Sequence, residues 1–265
     1  MTVYLELTRA FNDGALRAIL SSGQAVVVHR LAIMSKDGDW ILRERPEALE
    51  HVRRVLAARG SAYRFGAPLD VRWMSGGWSA HLEHRDGALR VRTDFVTRPP
   101  RIDALDLEAL WREQEGAPLP VVDPRRLVAI KQTNREKDYA VIGELARLLS
   151  DPKEQLLASR SARDIVALGA RHPRLLEDLA RERPLLAAAA RGEEALERAL
   201  DAERRALVHA NERRLARYAA AAEAWAAAWP ATAHAIAGMP LEEAHEAIVA
   251  RALGVLPFSV GTEPA

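Results

Sequence analysis

The stretch Leu16-Arg17-Ala18-Ile19-Leu20-Ser21-Ser22-Gly23-Gln24-Ala25, continued by Lys36-Asp37-Gly38-Asp39-Trp40-Ile41-Leu42, decides how the first half of the chain is read. Residues 16–21 form a candidate strand, and Ser22-Gly23 the turn after it. Residues 25–31 read as a strand from their valines or as a helix from their surroundings, and residues 39–42 as a short strand. Side chains alternate along a strand, so Asp37 and Asp39, one residue apart at a strand start, project to the same face. Carboxylates so placed are hard oxygen ligands for one or two Mg²⁺ (or Mn²⁺) ions. Such ions clamp a nucleotide's phosphates while a phosphodiester bond is exchanged. The Ser-Gly turn upstream lets backbone N–H groups approach a phosphate. Taken alone, Asp-Gly-Asp also describes a solvated turn.

Outward from that stretch, residues 2–11 read as a helix, followed by a short one from Asn12 or Asp13. Residues 46–59 are a helix: Pro46 suits the first turn, Leu49, Val52 and Leu56 share a face, and Gly60 stops it. Strands are expected at 63–65, 69–73, 79–84 and 89–96, with Arg85-Asp86-Gly87 as a hairpin turn. Helices are expected at 104–115, 124–133 and 136–149. This order predicts an α/β (α+β) domain with a mixed sheet. After Ser150 the chain is dominated by Ala, Leu, Arg and Glu at helical spacing, and Asp151-Pro152 interrupts a helix. The reading is a domain of residues 1–150 followed by an all-α domain of residues 151–265. Within the latter, residues 193–229 read as one helix that Pro230 ends, and another runs from Pro240 to Gly254.

Composition narrows the classes. With 265 residues, 28% of them charged, the chain can bury a sizeable core. Lys+Arg (38) and Asp+Glu (37) nearly cancel, so the whole-molecule field favours neither nucleic acid nor an acidic membrane. The absence of cysteine excludes disulfides, thiolate zinc sites and cysteine nucleophiles. No signal-peptide core and no uncharged apolar run of spanning length occurs, so a cytoplasmic protein without membrane contact is expected. There is no Walker-type phosphate loop and no Gly-x-Ser-x-Gly elbow.

Taken together, the segments resemble the nucleotidyltransferase superfamily that includes DNA polymerase β-like and minimal, toxin–antitoxin-type members. Ser22-Gly23-Gln24-Ala25 stands at the family's turn, and Asp37-Gly38-Asp39 follows at the usual spacing. Val91-Arg92-Thr93-Asp94-Phe95-Val96 looks like the strand bearing the third acid, with Asp70 as a competing candidate. A second match runs from Val122 to Lys131 and over Arg135-Glu136-Lys137-Asp138, similar to the helix pair that closes minimal members. The resemblance implies metal-binding, catalytic roles for Asp37, Asp39 and Asp94, and nucleotide binding by Ser22, Gly23 and Lys131. Lys137 and Asp138 would be structural. It further implies an NTP substrate such as ATP, with NMP moved to a protein or tRNA acceptor. The chain departs from the pattern at Ser22, at Ile33 where an arginine is common, and at Gly38. These departures motivate an alternative, a catalytically degenerate binding or regulatory protein, possibly one half of a toxin–antitoxin pair. A blander third reading, a helical scaffold with an unrelated α/β cap, expects the three acids to lie far apart.

Other residues carry double readings. Gly76-Gly77 suits a turn or a phosphate cradle, and Trp40 a core position or a base-stacking one. His29 suits a packed site or a nucleotide contact. His81 and His84 fall on opposite faces of their strand. Arg160, Arg163, Arg171 and Arg174 suit a solvated helix face or an RNA contact.

Overall fold

A computed structural model describes residues 2–261. The elements run α1 (Thr2–Phe11), β1 (Ala18–Ser21), α2 (Ser22–Val28), β2 (Asp37–Leu42), α3 (Pro46–Ala57), β3 (Ala62–Tyr63), α4 (Val71–Met74), β4 (Ala80–Asp86), β5 (Leu89–Val96) and α5 (Ala104–Glu113). Then come α6 (Pro124–Ile130), α7 (Glu136–Leu148), α8 (Pro152–Ala158), α9 (Ala162–Arg171), α10 (Pro173–Leu179) and a 3-10 helix (Pro184–Arg191). The chain continues with α11 (Glu193–Ala221), α12 (Glu223–Ala235) and α13 (Leu241–Ala252).

The strands form one mixed sheet in the order β1-β2-β5-β4-β3, with β2 and β5 parallel and the other pairs antiparallel. Alternation divides each strand between two faces. Leu20, Trp40, Leu82 and Phe95 point to one of them and are buried with Leu7 and Phe11 of α1 and Leu49, Val52 and Leu56 of α3. Trp40 is wedged between Phe11 and Phe95, and its Nε1 donates to Thr8 Oγ1 at 2.9 Å. Its core reading is the one the fold adopts.

Two compact units divide the chain: residues up to Val122 together with those from Ala216 onward, and Asp123–Leu215. The boundary read at 150–153 falls inside the second unit. The reason lies in the apolar faces of the last helices. Trp225, Leu241, Ala244, Ile248 and Ala252 are buried in the same core as the sheet. Trp73 Nε1 donates to Leu256 O at 3.0 Å, and Trp78 Nε1 to Pro257 O at 2.9 Å. The second unit has its own core around Leu156, Ile165, Leu168, Leu186 and Leu196. There Glu203 pairs with the buried Arg183 and with Arg160, whose side chain is 11% exposed. Arg160 is therefore not part of a solvated basic face.

Several local expectations change. Residues 12–15 form turns, pinned by the Asn12 amide between Thr8 and Ala18. Of the ambiguous segment at 25–31, residues 25–28 belong to helix α2 and the rest form the turn after it. The expected strand at 69–73 is instead α4, because the Asp70 carboxylate accepts from Arg72 N at 2.9 Å and caps a helical turn. Helix 193–229 is two helices meeting at Ala222, and Pro230 lies inside α12 rather than ending it.

Candidate functional site

The sheet face opposite the core carries a polar row. Ser21 of β1 sits across from Asp39 of β2, Asp39 across from Asp94 of β5, and Asp94 across from His81 of β4. Asp37 lies two residues before Asp39, on the same face, paired with Arg92. Backbone register thus brings the three acids to one face, contrary to the scaffold reading that expects them far apart.

The surrounding sequence explains how the strand start is held. Gly23 lies close against Ser35: a Cβ there would come within 2.2 Å of Ser35 Oγ, which would have to turn aside. Next to it Gln24 Nε2 donates to Ser35 O at 3.0 Å and to Asp37 O at 3.3 Å, tying the entry of β2 to α2. Ser22 has φ 47°, the left-handed backbone that glycine adopts without a steric cost. The departure from glycine at this position therefore changes the residue and keeps the glycine-like backbone. Gly38 answers to the core side of the sheet. A Cβ there would meet the Trp40 ring at 2.4 Å and the Tyr4 ring at 2.6 Å.

Side-chain contacts are less uniform than the register. The Asp37 Oδ1 atom is buried and makes no hydrogen bond, and Arg92 Nη1 stands 3.6 Å away, beyond hydrogen-bond reach. Asp94 Oδ1 accepts from His81 Nδ1 at 2.7 Å and from Arg64 Nη1 at 3.4 Å. The negative charges of Asp37 and Asp39 reach the Tyr4 hydroxyl. Its pKa is raised first by burial and then by Asp37, with Asp39 contributing, and the hydroxyl donates to Lys36 O at 2.7 Å. Among the described residues no three His, Asp or Glu side chains gather into a metal-holding group. The donor types nonetheless fit a hard divalent cation, and the orphaned Asp37 oxygen is the atom that such a partner would satisfy.

The other candidates have partners of their own. Asp70 is occupied in capping and in a bidentate pair with Arg72. Lys131 is buried in the second unit, 3.7 Å from Asp138, which also binds Thr133 and Arg135. Asp138 thus sits in a cluster of side chains at the start of α7. Gly76 and Gly77 serve packing: added Cβ atoms would meet Phe258 O at 1.8 Å and Tyr218 Oη at 2.5 Å. His29 Nε2 bonds Val122 O at 2.9 Å. His84 is buried on the core side against Ser61 Oγ. Sequence reasoning missed Arg64, Ser79 and the engagement of His81. Their signal was the hairpin register, which sets His81 beside Asp94.

No family model matches the chain, and no curated protein does either. Two solved structures from Helicobacter pylori resemble it weakly. One, provisionally named a nucleotidyltransferase, is 13% identical at a TM-score of 0.38, covering 80% of this chain and 96% of its own. The other, JHP933, is 13% identical at a TM-score of 0.35, covering 80% and 94%. Likeness at this level assigns neither a fold family nor an activity.

Proposed function

We propose that this chain is a divalent-cation-dependent nucleotidyltransferase, moving NMP from an NTP to a hydroxyl of a protein or RNA acceptor. One observation carries the reading: Asp39 faces Asp94 across neighbouring parallel strands, with Asp37 on the same face. Asp37, Asp39 and Asp94 would hold Mg²⁺ or Mn²⁺, which when bound offsets the charge of the triphosphate and of the developing transition state. The orphaned Asp37 oxygen supports that assignment. Ser22 and Gly23 would bring backbone N–H groups to the phosphates. Arg92, 3.6 Å from Asp37, and Arg64, paired with both Asp94 and Glu83, are guanidiniums suited to phosphate oxygens.

A second reading, a degenerate relative that binds without turnover, draws on Asp94 Oδ1 already being engaged by His81 and Arg64. The test is incubation of the purified chain with labelled ATP, CTP, GTP or UTP and Mg²⁺ or Mn²⁺. Label is expected on the protein, a partner or tRNA, and Asp39→Asn should reduce it about 100-fold or more while the circular dichroism stays native. No label from any nucleotide, with cation-independent binding by calorimetry, would favour the degenerate reading.

A further inference from the structure

Three residues on the polar face form an ordered chain of hydrogen bonds. Ser79 Oγ lies 2.9 Å from His81 Nε2, and His81 Nδ1 lies 2.7 Å from Asp94 Oδ1. A carboxylate only accepts, so Nδ1 donates to Asp94, and in the neutral ring Nε2 then accepts from the Ser79 hydroxyl. The strands build this line: His81 and Asp94 are direct cross-strand partners, and Ser79 stands two residues before His81.

The surroundings fix it in place. The imidazole rests against the backbone at Gly66, where a Cβ would come within 2.6 Å of His81 Cδ2. Arg64 N donates to His81 O at 2.8 Å, and Ala67 N to Ser79 O at 3.0 Å, so one short segment clamps both residues. The line is only partly covered: the His81 side chain is 28% and the Asp94 side chain 23% exposed, and Ser79 is half-buried. Hydroxyl, imidazole and carboxylate in this order are what a serine needs to become a nucleophile. Arg64 and Arg92 on the same face suit a phosphoryl centre as the group attacked.

We propose that Ser79 is an activated nucleophile that takes a phosphoryl group, with His81 as its base and Asp94 as the residue orienting His81. The identity of the electrophile rests on the reading above: it is the α-phosphorus of an NTP, so that the chain nucleotidylates itself. A bond forms between Ser79 Oγ and the α-phosphorus, and the bond from that phosphorus to the oxygen bridging the β-phosphate breaks. Pyrophosphate leaves with the electron pair, and the hydroxyl proton passes to His81 Nε2. Asp94 uses Oδ1 in the relay, which leaves its second oxygen for a cation.

Two assays on the full chain separate this inference from the reading it rests on. In the first, a fluorophosphonate probe is added without nucleotide and the adduct is located by peptide mass spectrometry. Ser79 should carry it; Ser79→Ala should abolish it, and His81→Gln should slow it about tenfold or more with native circular dichroism. A folded wild-type chain that leaves Ser79 unlabelled overturns the nucleophile. In the second, labelled NTP and Mn²⁺ replace the probe. An NMP adduct on Ser79, absent from Ser79→Ala, supports the proposal in full. Transfer to other acceptors with Ser79 unmodified overturns it and leaves the nucleotidyltransferase reading standing. A phosphonate adduct at Ser79 with no nucleotide transfer anywhere upholds the nucleophile and sinks the nucleotidyl electrophile.

Discussion

Gly38 separates two acids whose chemistry faces one way, yet its own requirement comes from the other side of the sheet. Trp40 is 1% exposed and held on both flanks by aromatic rings and at Nε1 by Thr8, so it cannot swing aside for a new methyl group. Gly38→Ala is therefore expected to cost about 1–3 kcal/mol. Urea denaturation should show a lower midpoint with an unchanged slope, and a midpoint equal to wild type would refute the packing account. At this scale the shared face of Asp37 and Asp39 was legible, because alternation along a strand is local. The partner of Asp94 was not. A turn read at 85–87 sets His84 against Ala88 and His81 against Val91. The actual hairpin turns at Gly87, φ 59°, and pairs Asp86 with Leu89, which brings His81 to Asp94. A small register shift exchanges every cross-strand neighbour, so the Ser79–His81–Asp94 line could not be seen without the exact turn.

Among the elements, the errors have two causes: local patterns with a double meaning, and packing that overrides local punctuation. The buried run Gln24–Val27 has no polar face, so its periodicity could not choose between strand and helix. The alternation in Leu69-Asp70-Val71-Arg72-Trp73 imitates a strand, but Asp70 is a helix cap. Pro230 is the clearest case. Proline usually ends a helix because it lacks an N–H and crowds the carbonyl four residues back, yet α12 continues to Ala235. Trp225, 1% exposed, and Thr232, fully buried, anchor the helix on either side of an exposed proline. If packing tolerates Pro230 at a cost, Pro230→Ala should be stabilising. Interior propensity favours alanine by about 3 kcal/mol. The more flexible unfolded chain gives back up to about 1 kcal/mol of that, leaving a gain of about 2 kcal/mol. The measurement is the chemical-denaturation midpoint. A variant no more stable than wild type would mean that the proline ring costs α12 nothing where it stands.

For the molecule as a whole, composition changes near residue 150 but could not reveal that the last helices share a core with the sheet. Burial partners far apart in sequence leave no local mark. One such partnership makes stability depend on pH. Leu69 N donates to the Tyr63 hydroxyl at 3.1 Å, so that hydroxyl donates in turn to His245 Nδ1 at 2.7 Å, joining β3 to α13. His245 must be neutral to accept. Burial, reinforced by Arg53 and Arg72 against an opposing Asp70, lowers its pKa to about 4, whereas an unfolded histidine titrates near about 6.5. Between those values the unfolded chain binds a proton that the folded one refuses, so stability is complete above about pH 6.5 and falls as the pH drops toward 4. The loss amounts to about 3 kcal/mol if the whole difference is realised. His84, buried and likewise lowered by desolvation, adds to it in the same direction. Unfolding free energy measured from pH 7 to pH 4.5 should therefore decline in the wild type. His245→Gln, which cannot charge, should start lower and decline less, with His84 accounting for part of what remains. Parallel curves for the two proteins would show that His245 is not the group coupling α13 to acid.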